Sequence, residues 1–202
     1  MEFIINLIAE RSVLRESLKG IIWTIFFNRL FGPITPVTNE FMNVSYPMAN
    51  NLPDLDSLID EKVNRILNQI TEVSNQAKIN VQFLSKSSNK KKTGWFGNST
   101  YNAQDDLVVW ESWLINVESL PLDQVSNGES KNVQTSIQNF ANNLTRIYDI
   151  ADKFKEHIPP ITSLDSAPFP YKIIIPEKKS DHNRDYHTGE EGWGTYIKKI
   201  LD

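Results

Sequence analysis

The sequence predicts an α+β domain in which three helices pack on one β-sheet. Apolar residues three and four positions apart indicate helices over 13–31, 54–77 and 131–156. A stretch rich in β-branched and aromatic residues, 107–118, is typical of a strand. With 202 residues and no internal repeat or linker, the chain has the length of a single domain that can bury its own core. We therefore expect one domain over residues 1–202.

The elements of the first half follow from local patterns. Residues 2–10, rich in Ile and Phe, predict a strand, and Ser12 is a suitable N-cap for the first helix. That helix is expected to end at Gly32-Pro33, because neither residue favours its continuation. The proline-rich stretch 33–53 predicts a loop with short edge strands around 36–46. The second helix is then expected to start at Asp54 or Asp56.

The second half continues with strands and one long helix. Residues 79–84 alternate as a strand and are expected to pair antiparallel with 107–118, their neighbour across a polar segment. One buried face of that second strand is predicted to carry Val109, Trp113, Ile115 and Val117. The third helix has a narrow apolar seam, which favours a core helix over a coiled coil, and it stops before Pro159.

The remaining C-terminal part divides into a strand and a tail. Residues 171–175, with the sequence YKIII, predict a fully buried strand. The segment at about 177–194 is polar and is expected to be mobile. Residues 195–201 are expected to form a last helical turn or strand.

The composition excludes several classes of protein. No cysteine is present among the 202 residues, which excludes disulfides, zinc–thiolate sites, iron–sulfur clusters and cysteine nucleophiles. A formal net charge of −4 gives no indication of nucleic-acid binding. Residues 1–11 carry no basic stretch ahead of their short apolar run, so no signal peptide is predicted. With the absence of cysteine, this favours a cytosolic protein.

Candidates for catalysis or metal binding are few. His157 lies at a helix end, where its charge would suit the dipole, and His182 and His187 lie in a polar tail with two aspartates that could chelate a metal. Their spacing matches no zinc signature, which favours a solvated tail. Glu111 is expected on the solvent side of its strand, as a general acid without a partner. No phosphate-binding, nucleophile-elbow or metalloprotease motif occurs, so we expect no enzyme, no cofactor and no metal.

The most informative feature is a pair of large aromatics in a polar segment. Trp95 and Phe96 stand between two glycines and follow the basic run Lys90, Lys91 and Lys92. They either fold back into the core or form an exposed finger that a partner's pocket would cover. Burying such a side chain is worth about 1.5–3 kcal/mol, and Trp is a frequent anchor at interfaces.

Five stretches of the chain resemble the HORMA-domain family, and in particular its members that act in autophagy. They are GIIWTIFFNR at 20–29, VQFLSKSSNKKKTGWF at 81–96, LVVWESWLINV at 107–117, HIPPIT at 157–162 and FPYKIII at 169–175. The lysine run before a Trp-Phe tip, followed by a strand with W-E-x-W, is specific in combination. The resemblance implies a HORMA fold, with three helices on a central antiparallel sheet, and no enzymatic activity.

The resemblance also implies partners. Family members of this kind form a heterodimer with the HORMA domain of autophagy-related protein 13 and stabilise it within the autophagy-initiation kinase complex. The finger, which here would be Trp95 and Phe96, recruits downstream autophagy factors. The third helix commonly forms the dimer face, and here it would offer Arg146 and Asp149. The expected location is cytoplasmic, at the preautophagosomal structure.

Two alternatives remain open. The first is a peripheral module that binds anionic lipid through Lys90–Lys92 and the aromatic tip, for which three lysines supply about 3 kcal/mol at a membrane surface. The second is a HORMA domain that closes around a peptide with a C-terminal belt. The polar segment 177–194 disfavours that belt, because it is poorly suited to a stable closing strand.

Overall fold

The computed structural model describes residues 1–70, 74–86, 107–122 and 130–176. Within these ranges, the strands are β1 (Glu2–Glu10), β2 (Pro36–Phe41), β3 (Val44–Ala49), β4 (Gln76–Lys86), β5 (Leu107–Leu120) and β6 (Tyr171–Ile174). The helices are α1 (Arg11–Phe27), α2 (Pro53–Gln69), α3 (Lys131–Lys153) and a single 3-10 turn, Lys155–His157. None of the helices described is both long enough and apolar enough to cross a membrane.

Four strands form the main sheet in the order β1-β5-β4-β6, and β2 pairs with β3 in a separate hairpin. The predicted antiparallel pairing of β4 with β5 is confirmed, and β6 is also antiparallel to β4. The pair β1–β5 is parallel, which makes the sheet mixed rather than wholly antiparallel. Parallel neighbours need a long crossover, and the chain between β1 and β5 supplies one through α1 and α2. The α+β class is confirmed.

The core lies between one face of the sheet and the helices. Ile5, Ile115 and Ile79 stand side by side on three adjacent strands, and all three are fully buried. Trp23 of α1 and Trp113 of β5 are among the largest buried side chains. Helix α1 therefore supplies much of the layer that covers the sheet.

The ends of α1 differ from those predicted. Glu10 occupies the N-cap position without a side-chain cap, and the hydroxyl of Ser12 donates to the Glu10 carboxylate instead. The helix ends at Phe27, before Gly32. Gly32 has another role, because a Cβ at this position would overlap the backbone of Asp165 and Ser166. The glycine therefore permits a close approach of two loops rather than terminating the helix.

The second helix and the proline-rich region also differ from their predictions. Residues 36–49 form a complete hairpin, with Met42 and Asn43 at positive φ in its turn. Helix α2 ends at Gln69, and Ala77, predicted on its apolar face, belongs to β4. Both differences arise because tertiary pairing extends strands beyond their local pattern.

Helix α3 covers the outer edge of β1 with polar side chains. Asn139 Oδ1 accepts the backbone N–H of Ile8 at 3.0 Å, and Ser136 Oγ accepts that of Glu10 at 2.7 Å. Asn143 Nδ2 donates to the carbonyl of Asn6 at 3.0 Å. We call Ser136, Asn139 and Asn143 the edge stripe. The apolar seam beside it is buried, as expected of a core helix, and comprises Phe140, Leu144, Ile147 and Ala151.

Strand β6 is not fully buried, contrary to the prediction. Tyr171 and Ile173 are half-buried, whereas Lys172 and Ile174 are exposed. The strand has β4 as its neighbour on one side and, among the described residues, none on the other. Its run of isoleucines suggested burial on both faces, but a sheet position with one covered face buries alternate residues.

Candidate interaction site

The predicted finger lies outside the described residues. Trp95, Phe96, Lys90, Lys91 and Lys92 all fall within 87–106, so the exposure of the two aromatics stays a prediction. The structure describes the base from which this segment departs, namely Lys86 at the end of β4 and Leu107 at the start of β5.

A buried ion pair lies below the finger base. Arg29, just after α1, contacts Glu111 of β5 through two hydrogen bonds. The distances are 2.9 Å from Nε to Oε1 and 2.7 Å from Nη2 to Oε2. The side chain of Arg29 is 2% exposed and that of Glu111 is 0% exposed. Such a two-pronged pair fixes direction as well as distance, because both groups are planar.

Two further groups complete this network. Trp113 Nε1 donates to Glu111 Oε1 at 2.6 Å, and Arg29 Nη1 donates to the carbonyl of Asn28 at 2.7 Å. Every nitrogen of the guanidinium and both oxygens of the carboxylate thus have a partner. Buried charges persist in proteins when they are paired and hydrogen-bonded in this way. The arrangement is suited to anchoring a strand to a helix.

The prediction for Glu111 was wrong in both parts. It faces the core rather than solvent, and it has a partner. That partner is 82 positions away in the sequence, so no local pattern indicates it. Arg29 gave the one available signal, since it interrupts the apolar face of the helix predicted over 13–31, near Phe26 and Leu30. A charged residue at a buried helical position points to a buried counter-charge.

Strand β5 carries a β-bulge beside the ion pair. Phe83 of β4 faces Glu111, but Leu84 faces Val109, so Trp110 has no partner across the ladder. A bulge breaks the alternation of faces. Val109 consequently turns outward and is 44% exposed, although the regular pattern predicts it on the buried face with Trp113. The prediction for Val109 was wrong because the bulge leaves no signature in the sequence.

Trp110 links the bulge to an aromatic cluster. Its ring centroid is 5.0 Å from that of Phe169 and 6.2 Å from that of Phe83, and the Arg29 guanidinium carbon lies 5.8 Å from the ring centre. The N-terminal ammonium group donates to the Trp110 carbonyl at 2.8 Å. Among the described residues, no group accepts a hydrogen bond from Trp110 Nε1, although that atom is buried.

The second predicted contact region is the outer face of α3. Arg146 and Asp149 are both exposed, as a contact role requires, and neither takes part in the ion pairs described. Tyr148, which stands between them in the sequence, is 44% exposed, and partial burial raises the pKa of its hydroxyl. This face of the helix is polar. Of the two predicted contact sets, this is the one that lies within the described residues.

The histidines form no site within the described residues. His157 is exposed in the 3-10 turn after α3, with its ring centroid 5.9 Å from that of Phe154. His182 and His187 lie outside the described ranges. Across residues 1–70, 74–86, 107–122 and 130–176, no group of three or more side chains is arranged to hold a metal ion.

The order of elements, the mixed sheet and the helical layer define an α+β fold consistent with a HORMA-like domain. The family model of autophagy-related protein 101 matches residues 6–165. Because that match spans well over half of the chain, the protein belongs to the autophagy-related protein 101 family. The chain is also similar to autophagy-related protein 101 of Arabidopsis thaliana. The two are 25% identical over 183 residues, which cover 81% of this chain and 80% of the relative.

Proposed function

We propose that the protein is a non-catalytic scaffold subunit of the autophagy-initiation kinase complex. It forms a heterodimer with the HORMA domain of autophagy-related protein 13, stabilises that partner, and recruits downstream factors through Trp95 and Phe96. The observation that carries the proposal is the family match over residues 6–165. The proposal also places the protein in the cytoplasm at the preautophagosomal structure.

The proposed dimer face is the outer side of α3. Arg146 and Asp149 are exposed there, while the inner side of the same helix is committed to the core and to the edge of β1. Charges of opposite sign one turn apart can orient a partner and raise its association rate. A partner that docks here leaves the domain's own packing unchanged.

The test of the heterodimer is co-purification with the HORMA domain of autophagy-related protein 13, followed by mass measurement. The expected result is a complex with one copy of each chain. The charge exchange Arg146→Asp/Asp149→Arg should weaken it by about tenfold or more, since like charges then face each other. A matched control, Glu61→Arg/Arg65→Glu, exchanges an exposed pair on α2. A protein that stays a monomer in the presence of this partner would remove the main support for the proposal.

The finger is tested by Trp95→Ala/Phe96→Ala. The fold and the heterodimer should be retained, while autophagosome formation in cells is impaired, because the two aromatics serve a partner and not the core. The control is Val108→Ala/Val109→Ala, which shortens two exposed apolar residues at the finger base. A large fall in the melting temperature of the purified finger variant would identify Trp95 and Phe96 as core residues and contradict the proposal.

A lipid-binding role is the second candidate, and the basic run next to the aromatic tip favours it. Flotation of the purified protein with vesicles, with and without anionic lipid, distinguishes the lipid-binding role from the scaffold role. The scaffold predicts weak flotation that does not require Trp95 and Phe96. Strong binding to anionic vesicles that is lost on changing Lys90–Lys92 to Gln would favour the lipid-binding module.

A further inference from the structure

We propose that Arg29 is a positioning residue that locks the register between β4 and β5 at the base of the finger. Arg29 does so by holding the bulge at Trp110 in place as well as by pairing with the charge of Glu111. Any effect of this register on the recruitment of partners rests on the proposed function of the finger. The register itself belongs to the described residues and can be tested without a partner.

The pairing defines two alternative registers. From Phe83–Glu111, the observed ladder continues as Leu84–Val109, Ser85–Val108 and Lys86–Leu107, with Trp110 left out. Without the bulge, the same strands would continue as Leu84–Trp110, Ser85–Val109 and Lys86–Val108. A slip of one residue turns each side chain beyond it to the other face. The two registers therefore present different surfaces beside the finger.

Arg29 contacts two consecutive residues of β5, and this distinguishes the registers. Its guanidinium pairs with the Glu111 carboxylate and also lies 5.8 Å from the Trp110 ring centre. Consecutive residues of a regular strand point to opposite faces. One guanidinium can reach both side chains because the bulge turns Trp110 toward the same region as Glu111. The bulge-free register would give up one of these two contacts.

The planar, forked shape of arginine matters here. Its Nε and Nη2 atoms hold both carboxylate oxygens of Glu111, and Nη1 holds the Asn28 carbonyl, so the plane of the group is fixed. A lysine would keep the positive charge but would have neither the fork nor the flat face. The replacement Arg29→Lys therefore separates the loss of register from the loss of charge.

The absence of cysteine from the chain makes the register directly measurable. Ser85→Cys/Val108→Cys places two thiols opposite each other in the bulged register. Ser85→Cys/Val109→Cys does so in the bulge-free register. Residues directly across a ladder are close enough for a disulfide, whereas residues one step apart are poorly placed. The equilibrium constant of each disulfide in a glutathione redox buffer, read by mass, reports the population of its register.

The expected result is a clear preference that depends on Arg29. With Arg29 present, the 85–108 disulfide should be favoured over the 85–109 disulfide by about tenfold or more, because a desolvated cation–π contact alone supplies a factor of that size. In Arg29→Lys, the ratio should fall by about tenfold, because a lysine lacks the flat, forked group that holds Glu111 and lies over Trp110 at the same time. The control Arg15→Lys changes an arginine of α1 whose partner lies on α2, and it should leave the ratio unchanged.

Folding of each variant is checked by its melting curve before the disulfides are compared. If Arg29→Lys does not fold, Arg29→Met/Glu111→Leu replaces the pair with apolar residues of similar size and keeps the test available. An unchanged ratio in a folded variant overturns the proposal, as does an equal yield of both disulfides when Arg29 is present. Failure of the heterodimer to form would count against the proposed function and would leave this result untouched.

Discussion

The helix α1 and the turn that follows it carry two sets of ion pairs that differ in burial. At the middle of the helix, Lys19, whose side chain is 12% exposed, contacts Asp56 and Asp60 of α2, both at 2.9 Å, and the two carboxylates are about one third exposed. Just beyond its end, Arg29 pairs with Glu111 where neither side chain reaches solvent. The first set joins two helices at the surface, and the second joins the helical layer to the middle of the sheet.

The two sets of ion pairs contribute differently to stability. Ion pairs with partly exposed carboxylates add little to stability, because water still screens those charges. A buried pair gains little over an apolar pair of the same size, yet the loss of one partner is severe, since the other charge remains without solvent. The Lys19 network therefore adjusts stability, whereas the Arg29–Glu111 pair specifies one arrangement of the strands.

The largest effect is expected when the buried pair is broken. Glu111→Leu should lower the free energy of unfolding by about 3–5 kcal/mol, because Arg29 is left buried and unpaired. The double variant Arg29→Met/Glu111→Leu should recover most of this loss, leaving a deficit of about 1–3 kcal/mol from the unpaired Trp113 indole N–H. Urea denaturation of both variants measures the two values. A double variant no more stable than the single one would show that the charge is not the cause.

A smaller effect is expected from the surface network. Lys19→Met should lower the free energy of unfolding by about 1 kcal/mol or less, because Asp56 and Asp60 remain partly solvated. Asp56 also keeps the hydrogen bond from Trp23 Nε1, at 2.9 Å. Urea denaturation measures this loss of stability. The control is Arg15→Met, because the ion pairs of Arg15 are still more exposed. A loss as large as that of Glu111→Leu would remove the contrast between the two sets.

The smallest effect is a pH dependence. Burial lowers the pKa of Lys19, but the hydrogen bonds and charges of Asp56 and Asp60 outweigh it, and the net pKa is raised. The folded state therefore holds this proton more tightly than the unfolded chain does. The resulting stability is complete below the unfolded pKa of about 10.4 and is lost as the pH rises through the higher folded pKa.

Lys19→Met tests that dependence directly. The difference in free energy of unfolding between the protein and this variant should be constant below about pH 9 and should shrink toward about pH 11. Tyr46, whose pKa burial raises, also responds to the charge of Lys19, so Tyr46→Phe is placed in both proteins and removes its titration from the comparison. A difference that grew with pH would contradict the assigned direction.

Most of the fold could be predicted because periodicity is a local property. The apolar seam of α3 and the β-branched content of β5 each identified their element, and the neighbouring positions of β4 and β5 identified their pairing. The site could be predicted less well. Glu111 depends on a partner 82 positions away, and the outward turn of Val109 depends on a bulge set by tertiary contacts. Neither leaves a regular spacing in the chain.

The direction of β1 relative to β5 shows the same limit. Its alternating residues identified a strand, but its direction relative to β5 depends on how the chain returns after two helices. The finger residues Trp95 and Phe96 were identified by contrast with their polar neighbours rather than by period. That argument is about chemistry and remains a prediction.

The edge stripe of α3 bears on self-association. The outer edge of a strand offers free backbone donors and acceptors, to which a strand of another molecule can add. Ser136, Asn139 and Asn143 already bond three of the outward backbone groups of β1, namely the carbonyl of Asn6 and the N–H groups of Ile8 and Glu10. Growth of fibrous assemblies from that side of the molecule is thereby obstructed while the domain is folded. Three amide and hydroxyl side chains thus do for a sheet edge what a neighbouring strand would otherwise do.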